Sequence, residues 1–130
     1  MSFAFLDVEA LLEIHGMEVR ERGTPPGIRD LGALEGALGR LDAHLYYNSD
    51  VRIEVLAAAL AHGIVSSHPF IDGNKRTSFT ATLLFLAANG YTLRAAQTER
   101  AATWLALAAG TLPEAALANW IAVHMTPISR

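Results

Sequence analysis

Residues 52–66 place Val55, Leu56, Ala59, Leu60 and Ile64 among further alanines, so a helix drawn through them is apolar over much of its surface. Such a helix cannot lie on the outside of a small protein, and the chain has to supply neighbours on most of its sides. A second apolar stretch, containing Leu83, Leu84, Phe85 and Leu86, runs to Asn89-Gly90. The pattern predicts two antiparallel central helices joined by a short loop, with the remaining helices packed around them. Alanine and leucine dominate while β-branched residues are sparse, which favours helices over strands. The predicted fold is all-α, a compact single-domain bundle of about six helices with the loop between the two central ones. At 130 residues and 52% hydrophobic content the chain can build one sizeable core, and no second domain is expected.

Local signals place the other helices. Asp7 is a predicted N-cap for a helix that ends near Gly23 and carries Val8, Leu11, Leu12 and Val19 on its apolar stripe. Thr24-Pro25-Pro26-Gly27 breaks it. A shorter helix over residues 30–39 would bury Leu31, Leu34 and Leu38, and the polar stretch over residues 46–50 reads as a loop or hairpin. Asn89-Gly90 reads as a left-handed cap. Thr98 is expected to cap a helix reaching Ala109, and Thr111-Leu112-Pro113-Glu114 reads as a capping box opening the last helix. Trp104 and Trp120 on these two helices read as core residues.

The loop between the central helices is His68-Pro69-Phe70-Ile71-Asp72-Gly73-Asn74-Lys75-Arg76. A neutral imidazole at His68 can accept the proton of an attacking hydroxyl, which makes it a general-base candidate. Asp72 is a hard oxygen ligand suited to Mg²⁺, an ion that uses one or two protein carboxylates and fills its sphere with water and phosphate. Gly73 permits a tight turn with backbone N–H groups close to a ligand. Asn74, Lys75 and Arg76 open the next helix, whose free N–H groups and dipole form an anion seat reinforced by two cations. Each residue also has an ordinary reading: His68 as a turn residue, Asp72 as a turn or cap residue, Asn74 as a cap, and Lys75-Arg76 as a solvated pair. A metal-dependent hydrolase using His62, His68 and Asp72 is a rival, but two histidines six apart with a proline after the second do not share a helix face. The remaining histidines, His15, His44 and His124, are scattered and read as surface or core residues.

The residues HPFIDGNKRTSF carry a resemblance to the Fic/Doc superfamily, most closely to its Doc (death on curing) toxins. The Fic pattern is H-P-F-x-[DE]-G-N-G-R-x-x-R. The Doc-like version has lysine in place of the last glycine, as at Lys75 here, and Phe79 stands where Fic enzymes have their second arginine. Gly27-Ile28-Arg29-Asp30-Leu31, Leu34-Glu35, Ala37-Leu38 and the stretch from Leu83 to Tyr91 also look like the family. The resemblance implies transfer of the γ-phosphate of ATP, with Mg²⁺, to a threonine of elongation factor Tu and a block of translation. Adenylyl transfer and a catalytically silent antitoxin-binding module remain as alternatives. By the same resemblance His68 is the base and Asp72 the Mg²⁺ ligand, while Gly73, Asn74, Lys75 and Arg76 hold the phosphates. Pro69 and Phe70 are structural, with Phe70 pointing into the core. Tyr46, Tyr47 and Asn48 fall where the family has the flap that docks its target. A Phd-like antitoxin with a disordered segment is the implied partner.

Composition sets the surroundings. A net charge of −3 argues against broad charge-driven binding of nucleic acid. No cysteine is present, which excludes disulfides and thiolate metal sites. With no signal-like N-terminus and no apolar run long enough to span a bilayer, a soluble, cytoplasmic protein is expected.

Overall fold

The computed structural model describes residues 3–23 and 27–128. Six helices run in the order α1 (Val8–Arg22), α2 (Leu31–Tyr47), α3 (Ile53–Ser67), α4 (Asn74–Ala88), α5 (Gln97–Ala108) and α6 (Glu114–His124). Two short strands, β1 (Tyr91–Leu93) and β2 (Met125–Pro127), pair antiparallel with Thr92 opposite Thr126. The fold is all-α apart from this ribbon, which the sequence pattern did not reveal because three-residue strands carry too little alternation to read.

Helix α3 is the centre, packed against α2, α4 and α6. Leu56, Ala57, Ala58, Ala59, Leu60, Ala61 and Ile64 are all fully buried, on every side of the helix. The small side chains let neighbours approach closely. A Cβ added at Gly63 would lie 3.1 Å from the Cβ and 3.2 Å from the Cα of Ala37 on α2, so the two backbones nearly touch there. At the start of α3 the buried Glu54 carboxylate accepts from Arg52 Nε at 2.7 Å; that bond, with the attraction of the two charges, raises the Arg52 pKa.

Most predicted boundaries stand, and four readings need correction. Asp7 caps α1 by accepting the Ala10 N–H at 2.8 Å, and Gly23 closes it in a left-handed conformation. Residues 24–26 of the predicted break lie outside the described residues. The second helix does not stop at Gly39 but continues to Tyr47, because Leu41 extends the buried stripe of Leu34 and Ala37. Leu31, expected in the core, is exposed at the first position of α2. The expected Asn89-Gly90 cap is present after α4, with Gly90 as its left-handed residue at φ 90°. Helix α5 is preceded by Ala96 and α6 by Pro113, neither with a side-chain cap. Thr98 therefore sits within the first turn of α5, and Thr111 donates to Ala106 O at 3.1 Å instead of capping α6. Glu114 is drawn away to Arg40, His44 and His62, which explains why the capping box does not close.

Trp104 is buried and donates through Nε1 to Ser78 Oγ at 3.1 Å; Trp120 packs at the core's edge with its Nε1 on Glu99. None of the described helices is long and apolar enough to cross a membrane. Gly63→Val would force two branched methyls into the α2–α3 contact. We expect a loss of about 1–3 kcal/mol, read as a lower urea midpoint with an unchanged slope.

Candidate active site

The loop from α3 to α4 is fixed from two sides. On the outer side, Arg29 donates from Nε to His68 O at 2.6 Å and from Nη2 to Ser67 O at 2.7 Å, placing a cation on the exposed carbonyls at the α3 C-terminus. Pro69 O accepts the N–H groups of Arg29 and Asp30 at 2.8 and 3.0 Å, Ile71 N–H reaches Gly27 O at 3.2 Å, and Ile28 and Phe70 form an antiparallel bridge. On the inner side, Phe70 is 1% exposed and stacks on the buried His15 ring, with centroids 3.8 Å apart and planes within 5°. His15 Nε2–H donates to Asp72 O at 2.7 Å. Asn74 closes the clamp: its Oδ1 accepts Phe70 N–H at 3.0 Å and its Nδ2 donates to Phe70 O at 2.9 Å.

Held this way, two loop residues adopt left-handed backbone conformations. Gly73, with φ 82°, precedes α4 and suits the position because it has no Cβ. His68, with φ 49° and ψ 59°, is the one non-glycine residue with positive φ among the described residues. That conformation is strained for a side chain of this kind and persists only where its surroundings enforce it.

His68, Asp72, Gly73, Asn74, Lys75 and Arg76 all line one cleft of about 380 Å³, together with Arg22, Val65, Ile71 and Ala108. The first intrahelical bond of α4 runs from Thr77 N–H to Gly73 O at 2.9 Å, so the N–H groups of Asn74, Lys75 and Arg76 precede it and remain available to an anion. Asn74 contributes its backbone alone, since its side chain is committed to Phe70. Arg76 Nε donates to Glu18 Oε2 at 3.3 Å, and Glu18 Oε1 accepts from Thr80 Oγ1 at 2.7 Å, so α1 orients this guanidinium.

Tyr46 and Tyr47 are not in a loop. They end α2, largely exposed and packed edge to face with centroids 5.0 Å apart, while Asn48 caps the helix through its N–H to His44 O; none of the three lines the cleft. His62 faces Glu114 on α6, with Nδ1 3.3 Å from the carboxylate, and also lies outside the cleft lining. Three supports went unrecognised in the sequence: His15, Arg29 and Glu18. The spacing Leu11, His15, Val19 puts His15 on the buried face of α1, which is the signal that could have found it. Arg29 stands in the Gly27-Ile28-Arg29-Asp30 stretch that looks like the family, but its bonds to Ser67 O and His68 O, like those of Glu18, act over long sequence separations.

Among the described residues no group of three or more metal-ligating side chains converges on one point. The Asp72 carboxylate is exposed beside the anion seat, without a hydrogen bond or ion pair to another described residue. A single free carboxylate there fits an ion carried in with phosphate groups, as Mg²⁺ is, better than a metal held by protein alone.

Comparison with known proteins gives a family match. The model of the Fic/DOC family matches residues 5–86, which contain α1 to α3, the loop and most of α4. The chain belongs to the Fic/Doc family. It is 33% identical over 82 residues to "Protein kinase doc" of Escherichia phage P1, covering 63% of this chain and 65% of that one. It is 39% identical over 69 residues to "Toxin Doc" of Mycolicibacterium smegmatis (strain ATCC 700084 / mc(2)155), covering 52% of this chain and 53% of that one. The chain thus spans between about half and two thirds of the length of these relatives.

Asn74→Ala would leave the half-buried N–H and C=O of Phe70 without their partner. A cost of about 1–3 kcal/mol is expected, together with faster exchange of the Phe70 amide than of the α3 core, measured by thermal unfolding and hydrogen exchange.

Proposed function

We propose that this protein is a toxin of a toxin-antitoxin pair that transfers the γ-phosphate of ATP to a protein hydroxyl, with a threonine of elongation factor Tu as the first candidate target. The observation that carries the reading is the convergence of His68, Asp72, two cations and the open N-terminus of α4 on one cleft. His68 accepts the proton of the target hydroxyl as that oxygen attacks the γ-phosphorus; the bond to the β-phosphate oxygen breaks and ADP leaves. Charge on the transferred group meets the N–H groups of residues 74–76, the Lys75 ammonium and the Arg76 guanidinium. Glu18 keeps the Arg76 fork from swinging away, since it engages Nε. Asp72 would hold Mg²⁺, which when bound neutralises phosphate charge and fixes the phosphate geometry.

Lys75 and Phe79 favour γ-phosphate over AMP transfer. Lys75 fills the position where adenylylating relatives have glycine, and Phe79 replaces a phosphate-binding arginine with an aromatic ring packed against Trp104. Restraint of the activity is assigned to a Phd-like antitoxin segment that folds on the protein.

The test uses elongation factor Tu, Mg²⁺ and ATP labelled at either the γ- or the α-phosphate. γ-Label should move to the target, and His68→Ala should lower the rate by about 10²–10⁴-fold, the usual worth of a positioned base. Asp72→Asn should raise the Mg²⁺ concentration needed for half-maximal transfer, with thermal stability unchanged. Movement of α-label would make the protein an adenylyltransferase. Movement of neither, with tight antitoxin binding retained, would make it a silent binding module.

A further inference from the structure

Two pairs in the chain place an aspartate or asparagine before glycine, Asp72-Gly73 and Asn89-Gly90. In such a pair the glycine nitrogen can attack the side-chain γ-carbon of the residue before it and close a five-membered succinimide, since no glycine side chain shields the nitrogen. The fold treats the two pairs in opposite ways. At the end of α4 the Asn89 side chain is held by three bonds: Nδ2 donates to Ala4 O and Phe85 O, each at 2.9 Å, and Oδ1 accepts Ala4 N–H at 2.8 Å. The Gly90 N–H is engaged as well, donating to Ala87 O at 3.0 Å. At the start of α4 these restraints are absent among the described residues. The Asp72 carboxylate is exposed and makes no hydrogen bond or ion pair there, and the Gly73 N–H makes no hydrogen bond. One group does engage the Asp72-Gly73 peptide. His15 Nε2–H donates to Asp72 O at 2.7 Å, from a ring that is buried and held by its stack on Phe70. Negative charge develops on that oxygen as the Gly73 nitrogen gives up its proton and attacks, and a donor fixed there in advance stabilises it.

We propose that Asp72 is a site of spontaneous isomerisation to isoaspartate, promoted by the His15 hydrogen bond. The bond that forms joins Gly73 N to Asp72 Cγ; one carboxyl oxygen leaves as water, taking the carboxyl proton and the amide proton. Water then adds to the main-chain carbonyl of the ring. The bond from Asp72 C to Gly73 N breaks, the nitrogen takes a proton back, and the chain continues through Cγ. The water lost in the first step is regained in the second, and nothing is oxidised or reduced. The product has one more methylene in the backbone between Phe70 and Asn74, a segment spanned by both side-chain bonds of Asn74. Its free carboxylate is the former main-chain carbonyl, displaced from the place of the present side chain. The isomerisation does not depend on the phosphotransfer reading; on that reading it removes the Mg²⁺ ligand from the cleft.

The experiment incubates the full chain, folded in buffer or unfolded in urea, and follows both pairs by peptide mapping. Isoaspartate is read as an isomer of unchanged mass with its own elution time, confirmed by labelling with an isoaspartyl methyltransferase. In urea Asn89 should react faster than Asp72, because a side-chain amide is a better electrophile than a carboxylate. In the folded chain the order should reverse. Isoaspartate accumulates at residue 72, while Asn89 reacts at least about tenfold more slowly than in urea, since the end of α4 must first open to release it. His15→Phe keeps a ring for the stack on Phe70 and removes the donor; it should slow the reaction at Asp72 several-fold and leave Asn89 unchanged. His15→Gln, which offers an amide N–H to the same oxygen, should restore part of the rate. A folded wild-type chain in which Asn89 still reacts first, or in which residue 72 stays intact, overturns the proposal. An unchanged or raised rate at Asp72 in His15→Phe, with Asn89 still protected, overturns the part assigned to His15. Loss of protection at Asn89 in that variant would show that it has unfolded, and the order of reaction in the wild-type chain then decides alone.

Discussion

Burial of Phe70 is the constraint on which the loop geometry depends. Its ring is almost wholly enclosed against His15, and its N–H and C=O are both engaged by Asn74. One residue thereby ties the end of α3 to the start of α4 and to the underside of α1. With Phe70 fixed, the residues on either side have little freedom: His68 is forced out to the surface before it and Asp72 after it. The outer segment over residues 27–30 then needs only to close the remaining backbone bonds, which it does through Pro69 O and Gly27 O.

The electrostatics follow from the same tie. Asn74 spends its side chain on the loop, so the anion seat of α4 is built from backbone N–H groups rather than from a polar side chain. Lys75 and Arg76 project from a helix end that already favours negative charge, in a chain whose net charge is −3. The local field is therefore set by the fold and not by composition. Glu18 moderates it on one side, because it faces Arg76 while no carboxylate among the described residues pairs with Lys75.

The sequence was most readable where periodicity and capping act locally. The largely apolar surface of α3 announced its central place, Asp7 and Gly23 marked the ends of α1, and the nine residues from His68 to Arg76 marked the loop. What stayed hidden was set by partners distant in the chain. The strand β2 exists because β1 lies beside it, with Ile128 N–H on Gly90 O and Arg94 N–H on His124 O extending the pairing. Glu114 looked like a capping residue until Arg40, His44 and His62 were brought to it by packing. Tyr46 and Tyr47 looked like loop residues because their own side chains are polar-tipped and exposed, although Leu41, about a turn and a half earlier, holds their helix in place.

The left-handed backbone at position 68 carries a consequence for how such a chain changes over time. An imidazole there is held against its own conformational preference, whereas glycine would occupy the same φ and ψ without strain. The substitution that most relaxes the backbone is thus also the one that removes the proposed base. On the proposed reading, drift at this position runs downhill toward a folded chain without its base, and only selection for the proposed activity keeps the histidine in place.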